Sequence, residues 1–217
     1  MEDIFTYELR DFLMFSPTTY YRMIETYNDE ISLGVVLPSL LLISALTWRD
    51  FRNQSWPLFV LFGCVFCWVA WQFFFVRFQE IMWASVYLGS AFFAQGVALF
   101  WLAQIDASRD EKKREYSNSR WLNYSPGLLL MFPSLGYFGF GVPEFFGITP
   151  DPTIYMTLAV LCLMRLPVWL YIIPVVWAGF SWLLVLVMEQ PDAWLWPALT
   201  ALTLIFFTGL SRRSTSA

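Results

Sequence analysis

Chemistry in this chain is best sought in two acids set among chain breakers. Residues 139–157 read Gly-Phe-Gly-Val-Pro-Glu-Phe-Phe-Gly-Ile-Thr-Pro-Asp-Pro-Thr-Ile-Tyr-Met-Thr. Glu144 and Asp151 lie between prolines and glycines, and Thr153 opens a short apolar run where its hydroxyl can meet free backbone N–H groups. In a membrane chain, short Pro- or Gly-interrupted segments point to binding sites. Irregular backbone at depth must be covered by protein or face a cavity. The spacing suggests an outward-facing pocket in which Glu144, Asp151, Thr153 and Tyr155 are joined by Gln72, Tyr87 and Tyr137. The preferred and plainer reading is a structural hairpin between the fourth and fifth apolar segments in which Asp151 is a cap or turn residue.

Cys64-Val-Phe-Cys67 is the second constellation. Residues three apart share a helix face, and two thiolates suit a soft metal such as Cu(I). Forming thiolates in an apolar run is costly. Two small polarisable residues in a packed helix is therefore the preferred reading, and no metal or other cofactor is expected. The chain has no histidine, which removes imidazole metal sites and His-dependent triads. No nucleophile stands beside a base, and no glycine-rich loop has a phosphate-binding pattern. Arg77, Glu80, Asp106, Arg165 and Glu189 fall at the ends of apolar runs, so buried ionisable groups of the kind proton-coupled transport needs are scarce.

The elements that must position these residues are apolar helices. Of 217 residues, 58% are hydrophobic, 20% aromatic and 14% charged. Soluble domains carry about 25% charged residues. The composition indicates a multipass membrane protein, and 17 acids against 13 bases argue against nucleic acid as a partner. Apolar segments run over 31–48, 57–76, 81–105, 125–142, 152–164, 166–188 and 193–210, the fifth of them short for a span. Arg49, Arg52, Arg109, Lys112, Lys113, Arg114, Arg120, Arg165, Arg212 and Arg213 fall in alternating loops. The positive-inside rule then favours seven crossings of a bacterial inner membrane, N-terminus outside and C-terminus cytoplasmic, over six. The expected fold is an all-α bundle of seven transmembrane helices over 31–210, with a tail at 1–30 and a basic end at 211–217.

Within the tail, Ser16-Pro17 resembles a helix start, and Tyr20, Ile24 and Tyr27 share one face. That predicts a helix lying on the outer leaflet or packed on the protein's own loops. Small residues form packing stripes: Ser85, Gly89, Gly96 and Ala103 in the third segment, Gly136 and Gly139 in the fourth. The mixed-charge loop 106–124 reads as a solvated connection.

Three stretches carry a family resemblance. They are Asp11-Phe-Leu-Met-Phe-Ser-Pro-Thr-Thr-Tyr-Tyr-Arg22 with Glu25-Thr-Tyr-Asn28; Gly147-Ile-Thr-Pro-Asp-Pro-Thr153; and Leu166-Pro-Val-Trp-Leu-Tyr-Ile-Ile-Pro-Val-Val-Trp177. In this order they resemble a family of small bacterial multipass proteins, the domain of unknown function 6064. Relatives often have Cys where this chain has Asp151, and a Tyr-His pair where it has Trp71-Gln72. The resemblance implies an integral membrane protein of similar topology and no particular activity. From the residues, a non-enzymatic accessory or scaffold subunit is the leading expectation, with membrane lipid and other membrane subunits as partners. A small transporter or receptor for a neutral or amphipathic ligand comes second. A lipid-directed enzyme using Glu144 or Asp151 as acid or base is the weakest.

Overall fold

The computed structural model describes residues 15–31, 34, 36–52, 54–108, 137–139, 142–164 and 166–189. Their architecture is helical, with one short hairpin. Helix α1 spans Pro17–Ile31. Its start follows from Ser16, whose Oγ accepts the Thr19 N–H at 3.2 Å. Pro17 at the first helical position has no N–H to leave unpaired. Tyr20, Tyr21, Ile24 and Tyr27 are buried in the protein's own core. The face that was a candidate for the lipid surface is thus covered by protein, as in the packed-tail alternative. Phe15 and Tyr20 pack edge-on against Phe78, with ring centroids 5.6 and 5.9 Å away.

Helix α2, Leu37–Arg52, has 16 residues and ends in Arg49 and Arg52. Helix α3 begins at Trp56 and continues to Glu80 without a break. It is α-helical to Trp68, π-helical over Val69–Arg77 and a 3₁₀ turn over Phe78–Glu80. The wider π turn, with its i→i+5 bonds, suits the aromatic run. It buries Val69, Ala70, Phe73, Phe74 and then Phe78. Helix α4, Ser85–Ala107, returns alongside α3. Its buried stripe of Ser85, Gly89, Phe92, Gly96, Leu99 and Ala103 has the three–four spacing of close helix packing. A Cβ on Gly96 would lie 2.8 Å from Cys67 Sγ and 3.0 Å from the Gly63 carbonyl oxygen; one on Gly89 would lie 2.5 Å from the Phe75 ring. The far end of this pair is tied by Asp106 Oδ2, which accepts the Ser55 N–H at 2.9 Å.

Strands β1, Tyr137–Gly139, and β2, Val142–Glu144, form an antiparallel hairpin. The helix expected over 125–142 therefore does not extend through its last residues. Gly139 and Pro143 disfavour a helix there, and residues 125–136 lie outside the described residues. Helix α5 spans Pro150–Met164 and has 15 residues. Helix α6 spans Ile172–Val187, preceded by a 3₁₀ turn over Val168–Tyr171.

Among the described residues three helices are long and apolar enough to cross a membrane: Trp56–Glu80, Ser85–Ala107 and Val168–Val187. Seven such helices are not found. At 1.5 Å per residue, α2 and α5 reach only about 22–24 Å against a hydrocarbon core of about 30 Å. The expected seventh segment, 193–210, lies outside the described residues. Helix α5 is buried on every side from Pro150 to Cys162. It is a short central helix enclosed by protein.

Candidate functional site

The site forms where α5 begins. Gly147 adopts φ +80°, a conformation that favours glycine, and a Cβ there would lie 2.6 Å from Pro38. The turn is locked by Thr153, whose hydroxyl accepts the Gly147 N–H at 2.9 Å and donates to the Thr149 carbonyl at 2.7 Å. This turn directs Asp151 toward α6. Asp151 Oδ1 accepts the Trp177 indole N–H at 2.7 Å, and Oδ2 accepts the Ser181 hydroxyl at 2.5 Å. Trp177 itself packs edge-on against both Phe74 and Phe92, 5.0 and 5.3 Å away. Asp151 thus meets the Val168–Val187 helix at its middle and one turn beyond.

Glu144, at the end of β2, is the second carboxylate. It is 1% exposed and Asp151 is 7% exposed. Both line one enclosed cavity of about 10 Å³, with Tyr20 and Tyr21 of α1 and Ser181 and Met188 beyond them. That volume holds about one water molecule. Among the described residues no Lys or Arg lines it, and Glu144 Oε2 has no hydrogen-bond partner there. Both acids lie outside the three long apolar helices. Burial first, then the neighbouring Asp151 charge, push the Glu144 carboxyl well above the usual carboxylate range, with Thr149 opposing. Burial also raises Asp151, while the Ser181 and Trp177 hydrogen bonds oppose the rise. Two carboxylates that share one small buried cavity cannot both stay ionised cheaply unless a cation joins them. The pair shares a proton or recruits a positive charge.

The remaining candidate residues separate. Thr153 supports the turn, and Tyr155 is buried on α5. Gln72 belongs to a different cluster, where its side-chain oxygen and its carbonyl both accept from Arg77 Nη1, at 2.8 and 2.9 Å. Arg77 also pairs with Glu30 and stacks 3.9 Å over the Tyr27 ring. Burial pushes the Tyr27 phenol up to about 12, the Arg77 charge opposing. Tyr87 is 71% exposed and packs on Trp83, so it does not enter the pocket. Tyr137 sits in β1, paired in register with Glu144. Gly139 is in the same strand, and Gly136 lies outside the described residues. Cys64 is exposed, Cys67 half-buried, and neither is in a disulfide. Among the described residues no three His, Cys, Asp or Glu side chains converge as a metal site.

The cavity joins pieces of all three stretches that carry the family resemblance: Tyr20 and Tyr21, Asp151 of Pro-Asp-Pro-Thr, and, through its hydrogen bond, Trp177 of Ile-Pro-Val-Val-Trp. A model of the family described as "Family of unknown function (DUF6064)" matches residues 17–216. The chain belongs to this family. No curated protein and no solved structure matches it at a significant level. The DUF6064 match takes in every residue of the site, from Tyr20 to Met188.

Sequence reasoning missed four members of this DUF6064 site: Tyr20, Tyr21, Trp177 and Ser181. Ser181 left a faint signal as the polar residue within the apolar run 172–187. Tyr20 and Tyr21 carried none beyond their place on the buried face of α1.

Proposed function

We propose that this DUF6064 protein is a small membrane transporter or receptor whose working centre is the buried Glu144–Asp151 pair, binding one small cation, the proton included. The observation that carries the reading is the pair itself, both acids buried against a helix long enough to span, with Asp151 bonded to that helix at its middle. Ionisable groups at such depth are costly and by default mark ion or proton pathways. A short, enclosed helix with its N-terminus at the pair resembles the broken helices that build transporter sites. The cavity of about 10 Å³ is far too small for an amphipathic ligand.

A scarcity of buried ionisable groups counts against proton-coupled transport, and two buried carboxylates lift that objection. The apolar side chains exposed on the long helices, such as Phe93, Val97, Trp101, Ile172 and Val176, suit lipid contact. Arg49 and Arg52 favour placing the Ser55–Asp106 end of the bundle in the cytoplasm of an inner-membrane protein. The test is flux into proteoliposomes carrying trapped pH- or Na⁺-sensitive dyes under an imposed potential. Flux that is lost in Glu144→Gln supports the reading. No flux, with a stoichiometric membrane subunit retained on gentle purification, replaces it with the scaffold.

A further inference from the structure

We propose that Glu144 is a proton-binding site and that Tyr21 gates exchange of its proton with the open groove beside Glu25. This rests on the acidic pair being the working centre, and narrows its ligand to a proton with a defined route.

The placement of the proton follows from the hydrogen bonds. Asp151 accepts a side-chain donor on each oxygen, from Trp177 and from Ser181. Such donors favour its ionised form. Glu144 lines the cavity, and its fully buried Oε2 has no partner among the described residues. The proton that relieves the pair's charge therefore sits on Glu144. A cavity of about 10 Å³ admits a water to deliver it. It leaves no space for the several waters that Mg²⁺ usually keeps.

The route follows from the cavities. Tyr21 lines the enclosed chamber, and it also lines an open groove of about 560 Å³ that includes Pro17, Arg22, Glu25 and Val142. Tyr21 is the residue that lines both. Among the described residues the titratable groups facing Glu144 across the chamber are Tyr20 and Tyr21 from α1 and Asp151 from α5. The α6 residues there, Ser181, Leu184, Val185 and Met188, do not titrate. Burial and the two carboxyls keep the Tyr21 phenol protonated. Its hydroxyl proton passes to the Glu144 carboxylate as the phenol oxygen accepts another from a hydronium ion in the groove, which is left as water, and the reverse transfer empties the site. Neither direction changes the tyrosine.

The experiment is infrared spectroscopy of the full chain in lipid, following the C=O band of a protonated carboxyl and its rate of shift in D₂O. A band present at neutral pH and missing in Glu144→Gln is expected. Its exchange is several-fold faster in Tyr21→Ala, which opens the wall, and several-fold slower in Tyr21→Phe, which keeps the ring and removes the relay. A role in packing alone would not move the two variants in opposite directions. If Tyr21→Ala fails to fold, Tyr21→Phe alone decides the relay. A band that is absent, or that survives Glu144→Gln, overturns the proton assignment. Exchange unchanged in the folded Tyr21 variants overturns the gate. Flux of Na⁺ without any such band would reject this inference and leave the cation-binding reading standing.

Discussion

Asp151 ties two helices through one carboxylate, so its replacement has a defined cost. In Asp151→Ala the Trp177 N–H and the Ser181 hydroxyl lose their acceptor inside the protein. Each donor left unpaired costs on the order of 1–3 kcal/mol. Thermal denaturation in lipid nanodiscs should show a large drop for Asp151→Ala and a smaller one for Asp151→Asn, which retains one acceptor oxygen. Glu144 has a different signature. Its carboxyl is raised well above its ordinary 4.5, so the folded state holds a proton that the unfolded state releases. The associated stability is complete below the ordinary value and is lost as pH rises through the raised one. The melting temperature should therefore fall from mildly acidic toward alkaline pH, and Glu144→Gln should flatten that slope. A wild-type melting temperature that rises over the same range would contradict the assigned direction.

At the scale of elements, the α3–α4 pair depends on close approach. Gly96→Leu would drive a side chain into Cys67 and the Gly63 carbonyl. Overpacking of this kind costs about 1–3 kcal/mol. Gly179 on α6 has nothing within 4 Å of an added Cβ, so Gly179→Ala should leave the melting temperature nearly unchanged. At the turn into α5, Gly147→Ala meets both a positive φ and Pro38. The left-handed conformation alone costs about 1–2 kcal/mol with a side chain. Because this turn aims Asp151 at α6, its loss should also weaken any activity that depends on the acidic pair.

The whole molecule has two distinguishable ends. One carries Ser55 and Asp106, the other Phe78, Ser85 and α1, which packs on Phe78. If α3 and α4, each long and apolar enough to span, cross a membrane, cysteines introduced at Gln54 and Ser108 should label from one side by an impermeant thiol reagent. Those at Trp83 and Glu25 should label from the other. The native cysteines are first replaced by serine or alanine, since Cys64 is exposed. Labelling of all four sites from one side would overturn the crossing of α3 and α4. The same experiment tests the placement of the groove beside Glu25 on the face opposite the basic end.

Several features are legible in the sequence because they depend on local chemistry. The helical class follows from apolar runs, the start of α1 from Ser16-Pro17, and the turn before α5 from Gly147, Pro150 and Thr153. The acids Glu144 and Asp151 stand out as charges among chain breakers. Hydropathy alone cannot tell an apolar helix that faces lipid from one enclosed by protein, so 152–164 reads as a short span. Only the packing identifies α5 as the buried centre. Likewise, 144, 151 and 181 become neighbours of Tyr21 only when α1, the hairpin, α5 and α6 close on one another. The sequence by itself determined which groups are chemically available. The tertiary structure decided that two of them share one buried cavity, where burial and mutual repulsion change what they can do.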